Sequence, residues 1–237
     1  MDDLSQRSTR PELMDTESVS FAEFHDCLRT LSIINTFTLA YRPTLCWLKR
    51  MMADVGSGQS LSLLDIGCGG GDMLRRIWTR AGERHLDIEL IGVDLHPWSK
   101  QSAEQVTPRD SLIRFETANL FALDSSRRAD FIVSSLFAHH LTDGEVVRFI
   151  QWMDRHATRG WFINDLHRHP LPCLFIKYAV RLLFSNRLIL HDAPLSVARA
   201  FTASEWRYFL EQAGIPAERT CIEWFFPFRY GVSCRKV

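Results

Sequence analysis

Leu63-Leu64-Asp65-Ile66-Gly67-Cys68-Gly69-Gly70-Gly71-Asp72 decides the fold of this chain. A short apolar run, interrupted once at Ser62, meets a glycine-dense turn, and Met73-Leu74-Arg75-Arg76-Ile77-Trp78 continues as a helical pattern. A strand that passes through such a turn into a helix sets bare backbone and exposed helix N–H groups against a ligand. Those N–H groups favour negative charge, and nucleotide-like molecules are the usual occupants.

Working outward, strand signals lie at 61–66, 88–94, 111–116, 130–136 and 160–164, with helical patterns near 71–81, 98–106 and 143–156. Thr142 and Glu145 have capping-box spacing ahead of Val146, Ile150 and Met153. This order predicts an α/β fold with a doubly wound, mostly parallel sheet. Upstream, residues 1–18 are polar and read as a disordered or loose arm. Ser20 and Glu23 open a helix carrying Phe21, Phe24, Leu28 and Leu31. A second helix begins at Pro43 and runs through Leu45, Leu48 and Met52 to a Gly56-Ser57-Gly58 linker. Residues 1–58 therefore read as an arm with a helical cap, and 59–237 as the ligand-binding domain.

After the fifth strand, Pro170-Leu171-Pro172 opens an apolar insertion that continues to about Leu190, before His191-Asp192-Ala193-Pro194. A helical lid over about 168–200 would hang above the carboxyl ends of the strands, where such sheets bind ligands. Thr202 and Glu205 begin a further helix with Trp206, Phe209, Leu210 and Ala213, which Gly214 and Pro216 stop. The tail from Cys221 is strand-like and is expected to complete the sheet as an antiparallel edge.

Composition sets bounds. The 237 residues suit one generous domain, and 28 basic residues balance 28 acidic ones, which offers no net attraction to nucleic acid or anionic lipid. Six cysteines without a C-x-x-C pair read as reduced thiols in a cytoplasmic protein. The acidic start Met1-Asp2-Asp3 argues against a secretory signal. The longest apolar run, Leu171 to Leu183, is broken by Lys177 and Arg181 and is too short to span a bilayer. The composition predicts a soluble chain in which membrane contact is the minority reading. It does not reveal an oligomeric state.

The turn reads G-x-G-G-G-D, with Asp72 where a dinucleotide fingerprint carries its third glycine, and this weakens a nicotinamide-dependent oxidoreductase reading. Asp94 closes the second strand, Ile91-Gly92-Val93-Asp94, where a carboxylate can accept from ribose hydroxyls. With Leu64 to Gly71 as first motif and Val93-Asp94 as second, the chain resembles class I S-adenosylmethionine-dependent methyltransferases. Asn119 in Thr117-Ala118-Asn119-Leu120-Phe121 stands where that family often has an adenine-contacting acid, and Asp130 to Leu136 resembles its fourth-strand motif. The flanks Pro11-Glu12-Leu13-Met14-Asp15, Ser135 to His140, Asn164-Asp165-Leu166 and His191 to Ser196 are similar to small-molecule methyltransferases found beside polyketide synthases in secondary metabolism.

The resemblance implies a Rossmann-like methyltransferase fold and S-adenosyl-L-methionine as cofactor. By it, Asp65, Gly67, Cys68, Gly69 and Gly71 hold the methionine end, with Ser135 beside them. Asp94 takes the ribose, Asn119 the adenine edge, and Leu95 and Leu120 wall the ring.

Methyl transfer is an in-line displacement, so a base is needed only where the acceptor must lose a proton. His139 and His140 follow the fourth strand at the ligand edge; His140 is the favoured base, and cofactor charge and helix dipole are expected to lower its pKa. Asp165 either orients a histidine or caps a turn, and His167, His191 and Asp192 are further candidates to face the acceptor. Arg199, with Thr202, is expected to tie the lid down, the alternative being to bind an acidic acceptor. No metal is expected, because no H-x-x-x-H spacing or cysteine pair supports one. Phe21, Phe24, Phe37, Tyr41, Phe175, Tyr178 and Phe184 would give an apolar acceptor pocket. Together these features predict O-methylation of a small apolar phenolic or quinol-like molecule. C-methylation of an electron-rich ring is the near alternative, and an NAD-dependent oxidoreductase or a non-catalytic cofactor-binding protein the distant ones.

Overall fold

The computed structural model describes residues 4–53, 55 and 59–236. The Gly56-Ser57-Gly58 linker lies outside them, as do the side chain of Arg181 and that of Leu183. The chain opens with helices α1 (Leu13–Thr16), α2 (Phe21–Phe37) and α3 (Arg42–Met51). Alternation then runs β1 (Ser60–Ile66), α4 (Asp72–Glu83), β2 (Asp87–Asp94), α5 (Pro97–Val106), β3 (Arg114–Thr117), β4 (Ala129–Ser135), α6 (Asp143–His156) and β5 (Ala157–Leu166). It continues with α7 (Pro170–Leu183), α8 (Arg187–Arg199), α9 (Ala203–Gln212), β6 (Thr220–Phe225) and β7 (Arg229–Arg235).

Among the described residues the strands form a seven-stranded sheet in the order β3-β2-β1-β4-β5-β7-β6. The first five are parallel neighbours, and β7 alone runs antiparallel, wedged between β5 and β6. The expected antiparallel tail thus lies one strand in from the edge. Strand order reverses between β1 and β4, which opens a crevice at their carboxyl ends.

Side-chain alternation builds a core on each face. Leu61, Leu63, Phe131 and Val133 pack with Trp47, Leu48, Leu74 and Ile77 on one side. Leu64, Ile66 and Ile132 pack with Phe149, Met153, Trp206 and Phe209 on the other. Thr142–Glu145 and Thr202–Glu205 both close full capping boxes, each worth about 1 kcal/mol. A third cluster, Phe24, Cys27, Leu188 and Ile189, joins α2 to α8 above the crevice.

Three local expectations change. The signal at 111–116 yields a strand only from Arg114, because Arg109–Ser111 takes a 3-10 turn and Leu112 turns the chain at φ +56°. His191 to Pro194 lies inside α8, not after the insertion, with Pro194 accepted mid-helix. The arm from residue 4 is docked, not loose. Arg7 donates to the carbonyls of His139 (2.8 Å), Leu141 (2.5 Å) and Arg199 (2.6 Å), and its guanidinium covers the Phe201 ring at 4.4 Å. Arg7 thus satisfies helix-end and turn acceptors, sharing the His139 carbonyl with Arg199.

Candidate active site

The glycine turn is held by geometry that only glycine tolerates cheaply. Gly67, Gly69 and Gly71 have φ of +71°, +50° and +74°. A Cβ on Gly67 would stand 2.6 Å from the Phe137 ring, and one on Gly71 would stand 2.7 Å from Phe115. Close packing of the protein's own rings is thus a second reason for these glycines, beside ligand access. Asp72, the departure from the dinucleotide pattern, accepts from Ser32 Oγ (2.9 Å) and Arg75 (2.5 Å), and so fastens the turn to α2.

Asp94 closes the loop from the opposite strand. Its Oδ2 accepts the Gly69 N–H at 2.8 Å and its Oδ1 the His96 N–H at 2.9 Å. Asp65 lies beneath the turn, 2% exposed, and its Oδ1 has no hydrogen-bond partner. Burial, with Asp94 and Asp72 adding repulsion, pushes its pKa well above the usual carboxylate range. An unpartnered buried carboxyl oxygen awaits a cation or donor. Cys68 is partly buried, and desolvation, with Asp94 and Asp65 adding repulsion, pushes its thiol well up.

A single cavity of about 1550 Å³ runs over this turn. Its wall includes Asp65, Gly67, Cys68, Gly69, Asp94, Leu95, Asn119, Leu120 and Ser135, but not Gly71, which faces Phe115 instead. Asn119 uses Oδ1 to cap the Phe121 N–H at 2.9 Å. Ser135 Oγ lies 3.1 Å from Thr44 Oγ1. The volume exceeds the roughly 300–1,000 Å³ of a pocket for one small ligand.

On the far wall stand the two histidines, in a 3-10 turn (Ala138–His140) between β4 and α6. Asp165, at the end of β5 and fully buried, accepts the His139 backbone N–H at 2.9 Å and lies 2.6 Å from His139 Nδ1. His140 Nδ1 lies 2.7 Å from Asp15 Oδ2. Glu12, 3% exposed, faces both rings, 3.7 Å from His139 Nε2 and 3.7 Å from His140 Nε2. Burial alone would lower the His140 pKa, but the Asp15 hydrogen bond and the Glu12 charge outweigh it and raise it to about 9. This reverses the expected lowering, because the arm brings carboxylates that a reading of the helix dipole alone cannot anticipate.

Arg199 holds this wall from behind, donating to the carbonyls of His139 (3.0 Å), His140 (2.9 Å) and Arg10. Asp192 caps α1 by accepting from the N–H groups of Leu13 (2.8 Å) and Met14 (3.0 Å), with His191 Nδ1 at 2.7 Å. His167 is turned toward Trp224 and Tyr230 and does not line the cavity. Of the aromatic residues, Phe24, Phe37, Tyr41, Phe175 and Phe184 line it, whereas Phe21 and Tyr178 do not. Glu12 and Asp15 were legible only as part of a flanking motif, and nothing in their spacing marks them as neighbours of the histidines. The spacing rules likewise offered no metal set, yet the fold brings ligand atoms of Glu12, His139 and His140 within 4.8 Å of one another.

Residues 63–160 match the family model described as Methyltransferase domain. That stretch is similar to a methyltransferase domain. No curated protein matches the chain. The fold is similar to that of human N-acetylserotonin methyltransferase in complex with SAM, at 14% identity and TM-score 0.65, covering 92% of this chain and 56% of that one. It is also similar to the plantazolicin methyltransferase BpumL in complex with SAH, at 15% identity and TM-score 0.63, covering 90% of each chain. Magnesium protoporphyrin IX methyltransferase from Synechocystis PCC 6803 aligns at 15% identity and TM-score 0.54, over 93% of this chain and 90% of that one. The matched stretch supplies the glycine turn, Asp94, Asn119 and the histidine turn. The arm, α2 with the turn after it, the end of β5, α7–α8 and the β6–β7 turn supply the rest of the cavity wall.

Proposed function

We propose that this methyltransferase domain uses S-adenosyl-L-methionine to methylate an oxygen of a small apolar, phenolic or quinol-like acceptor, with a histidine as general base. The observation that carries the reading is one cavity with the glycine turn, Asp65 and Asp94 on one wall and His139, backed by the buried Asp165, on the other. Asp65 and the turn residues Gly67 to Gly71 would hold the methionine end, Asp65 meeting a cationic group with its unpartnered oxygen. Asp94 would accept from the ribose, since a carboxylate keeps lone pairs beyond those given to Gly69 and His96. Asn119 would meet the adenine edge between Leu95 and Leu120, with Ser135 near the methyl group.

The cofactor, when bound, supplies the electrophilic methyl group. The protein aligns and desolvates the acceptor, and removes its proton where one must leave. A carboxylate can only accept, so Asp165 keeps the His139 proton on Nδ1 and leaves Nε2 as the basic atom. That arrangement favours His139 over His140 as base, with His140 held by Asp15 as its neighbour. We read residues 1–58 as arm and cap, 59–237 as the cofactor-binding domain and α7–α8 as its lid. Among the described residues no helix is long and apolar enough to cross a membrane. Six free thiols favour a cytoplasmic setting, and the balance of 28 basic against 28 acidic residues favours no nucleic-acid partner.

Calorimetric titration with SAH and with NAD tests the cofactor; heat with NAD and none with SAH would sink the reading. Labelled cofactor incubated with a panel of alkylated phenols tests the chemistry. Transfer that persists at full rate in both His139→Ala and His140→Ala removes the histidine base.

A further inference from the structure

We infer that Glu12, His139 and His140 form a binding site for a divalent first-row cation of the zinc class, open to the cavity on its remaining side. The three donors are the Glu12 carboxylate and the Nε2 atoms of the two imidazoles. The carboxylate stands 3.7 Å from each ring nitrogen. Donors arranged tetrahedrally about a cation at about 2.0–2.1 Å stand about 3.4 Å apart, close to both carboxylate–imidazole distances, and the whole set lies within 4.8 Å.

What distinguishes this cluster from a chance meeting of polar groups is the shell behind it. Each imidazole has its Nδ1 against its own carboxylate, His139 on Asp165 at 2.6 Å and His140 on Asp15 at 2.7 Å. A carboxylate accepts and does not donate, so each Nδ1 carries a proton and each Nε2 faces the Glu12 side, where a bound cation would displace any proton that nitrogen carries. A histidine whose second nitrogen is tied to a carboxylate is the usual metal-ligating arrangement, which sets the tautomer and raises ligand basicity. Glu12 is itself held, accepting from Ser196 Oγ at 2.9 Å, with Arg199 Nε at 3.9 Å. Two nitrogens and one oxygen with a fourth position left toward a cavity suit zinc better than calcium or magnesium. Arg199 and Arg7 lie behind the cluster and offset part of its negative charge.

The site itself stands on this geometry alone. Its effect on rate rests on the methyl-transfer reading above: a lone pair bonded to an ion cannot take a proton, so occupancy would silence a histidine base.

Chelator-treated, untagged full-length protein is titrated with zinc chloride by calorimetry and with cobalt chloride by visible absorption. One equivalent of each is expected, cobalt giving ligand-field bands. Asp165→Asn is expected to weaken binding about 10- to 100-fold. Glu12→Gln and His140→Ala are expected to lose the stoichiometric phase while keeping native circular dichroism and thermal unfolding. No stoichiometric binding to the native protein, or binding unchanged in Glu12→Gln and His140→Ala, overturns the site. With an acceptor in hand, zinc is expected to lower transfer tenfold or more, within the roughly 10²–10⁴-fold worth of a general base, and chelator to restore it. A rise in rate with zinc would remove the histidine base and leave the site standing.

Discussion

Asp165 grips His139 twice, accepting its backbone N–H at 2.9 Å and meeting its Nδ1 at 2.6 Å, with both residues buried. One carboxylate therefore sets the position of the turn and the tautomer of the ring. Asp165→Asn offers a donor where only an acceptor serves, so the imidazole loses its orientation or its tautomer. Methyl transfer is expected to fall about 10²- to 10⁴-fold. Cofactor affinity, measured by calorimetry, is expected to stay within about twofold, because Asp165 does not touch the glycine turn. An Asp165→Asn variant of native rate would remove the pair from the reaction.

Asp94→Ala removes the acceptor of two backbone N–H groups, Gly69 and His96. Leaving partly buried donors unpaired costs about 1–3 kcal/mol. The expected result is a lowered thermal midpoint together with weakened SAH binding. A variant that loses stability but binds SAH as before would confine Asp94 to a structural role.

Much of this was legible from the sequence where the governing physics is local. The strand–glycine–helix passage at 63–78, the capping boxes at Thr142 and Thr202 and the β-α alternation need only neighbouring residues. The histidine wall depends instead on contacts across the chain. Asp192 caps α1, Arg7 and Arg199 collect the carbonyls of the histidine turn, and only then do Glu12 and Asp15 reach the rings. No periodicity records such contacts. The polar arm read as loose because its hydrophilic residues bury themselves by pairing, which a hydropathy pattern cannot report.

Two glycines make a paired test of the turn. Gly71→Ala must keep φ +74° and stand 2.7 Å from Phe115, whereas Gly82, inside α4, has nothing within 4 Å of a new Cβ. Gly71→Ala is expected to destabilise by about 1–2 kcal/mol or more. Gly82→Ala is expected to stabilise by about 0.4–1 kcal/mol. Denaturant midpoints measured side by side check the sign of each.

Arg229 is 4% exposed, donates to Thr38 Oγ1 at 3.1 Å, and leaves Nε and Nη1 without partners. Burial lowers its pKa to about 10, with Asp165 and Tyr41 opposing, so it stays charged at neutral pH. An under-paired buried charge is costly, and Arg229→Met is expected to raise stability by about 1 kcal/mol or more. A drop in the unfolding midpoint would show that the guanidinium is better satisfied than its contacts indicate.

Asp65 gives a pH dependence with a definite sign. Burial, then Asp94 and Asp72, raise its folded pKa well above the unfolded value of about 3.9. The folded, ligand-free chain holds a proton that the unfolded chain has lost, so its contribution to stability falls as pH rises through that interval. A cationic ligand group beside Oδ1 favours the carboxylate. Binding below the folded pKa therefore expels the proton, and affinity rises with pH until that pKa is passed. Calorimetry of SAH in two buffers of different ionisation enthalpy is expected to show net proton release. Asp65→Asn is expected to bind more weakly and with no such release. Equal heats in both buffers for the native protein would mean that the carboxyl keeps its proton, and that the ligand's cation lies elsewhere.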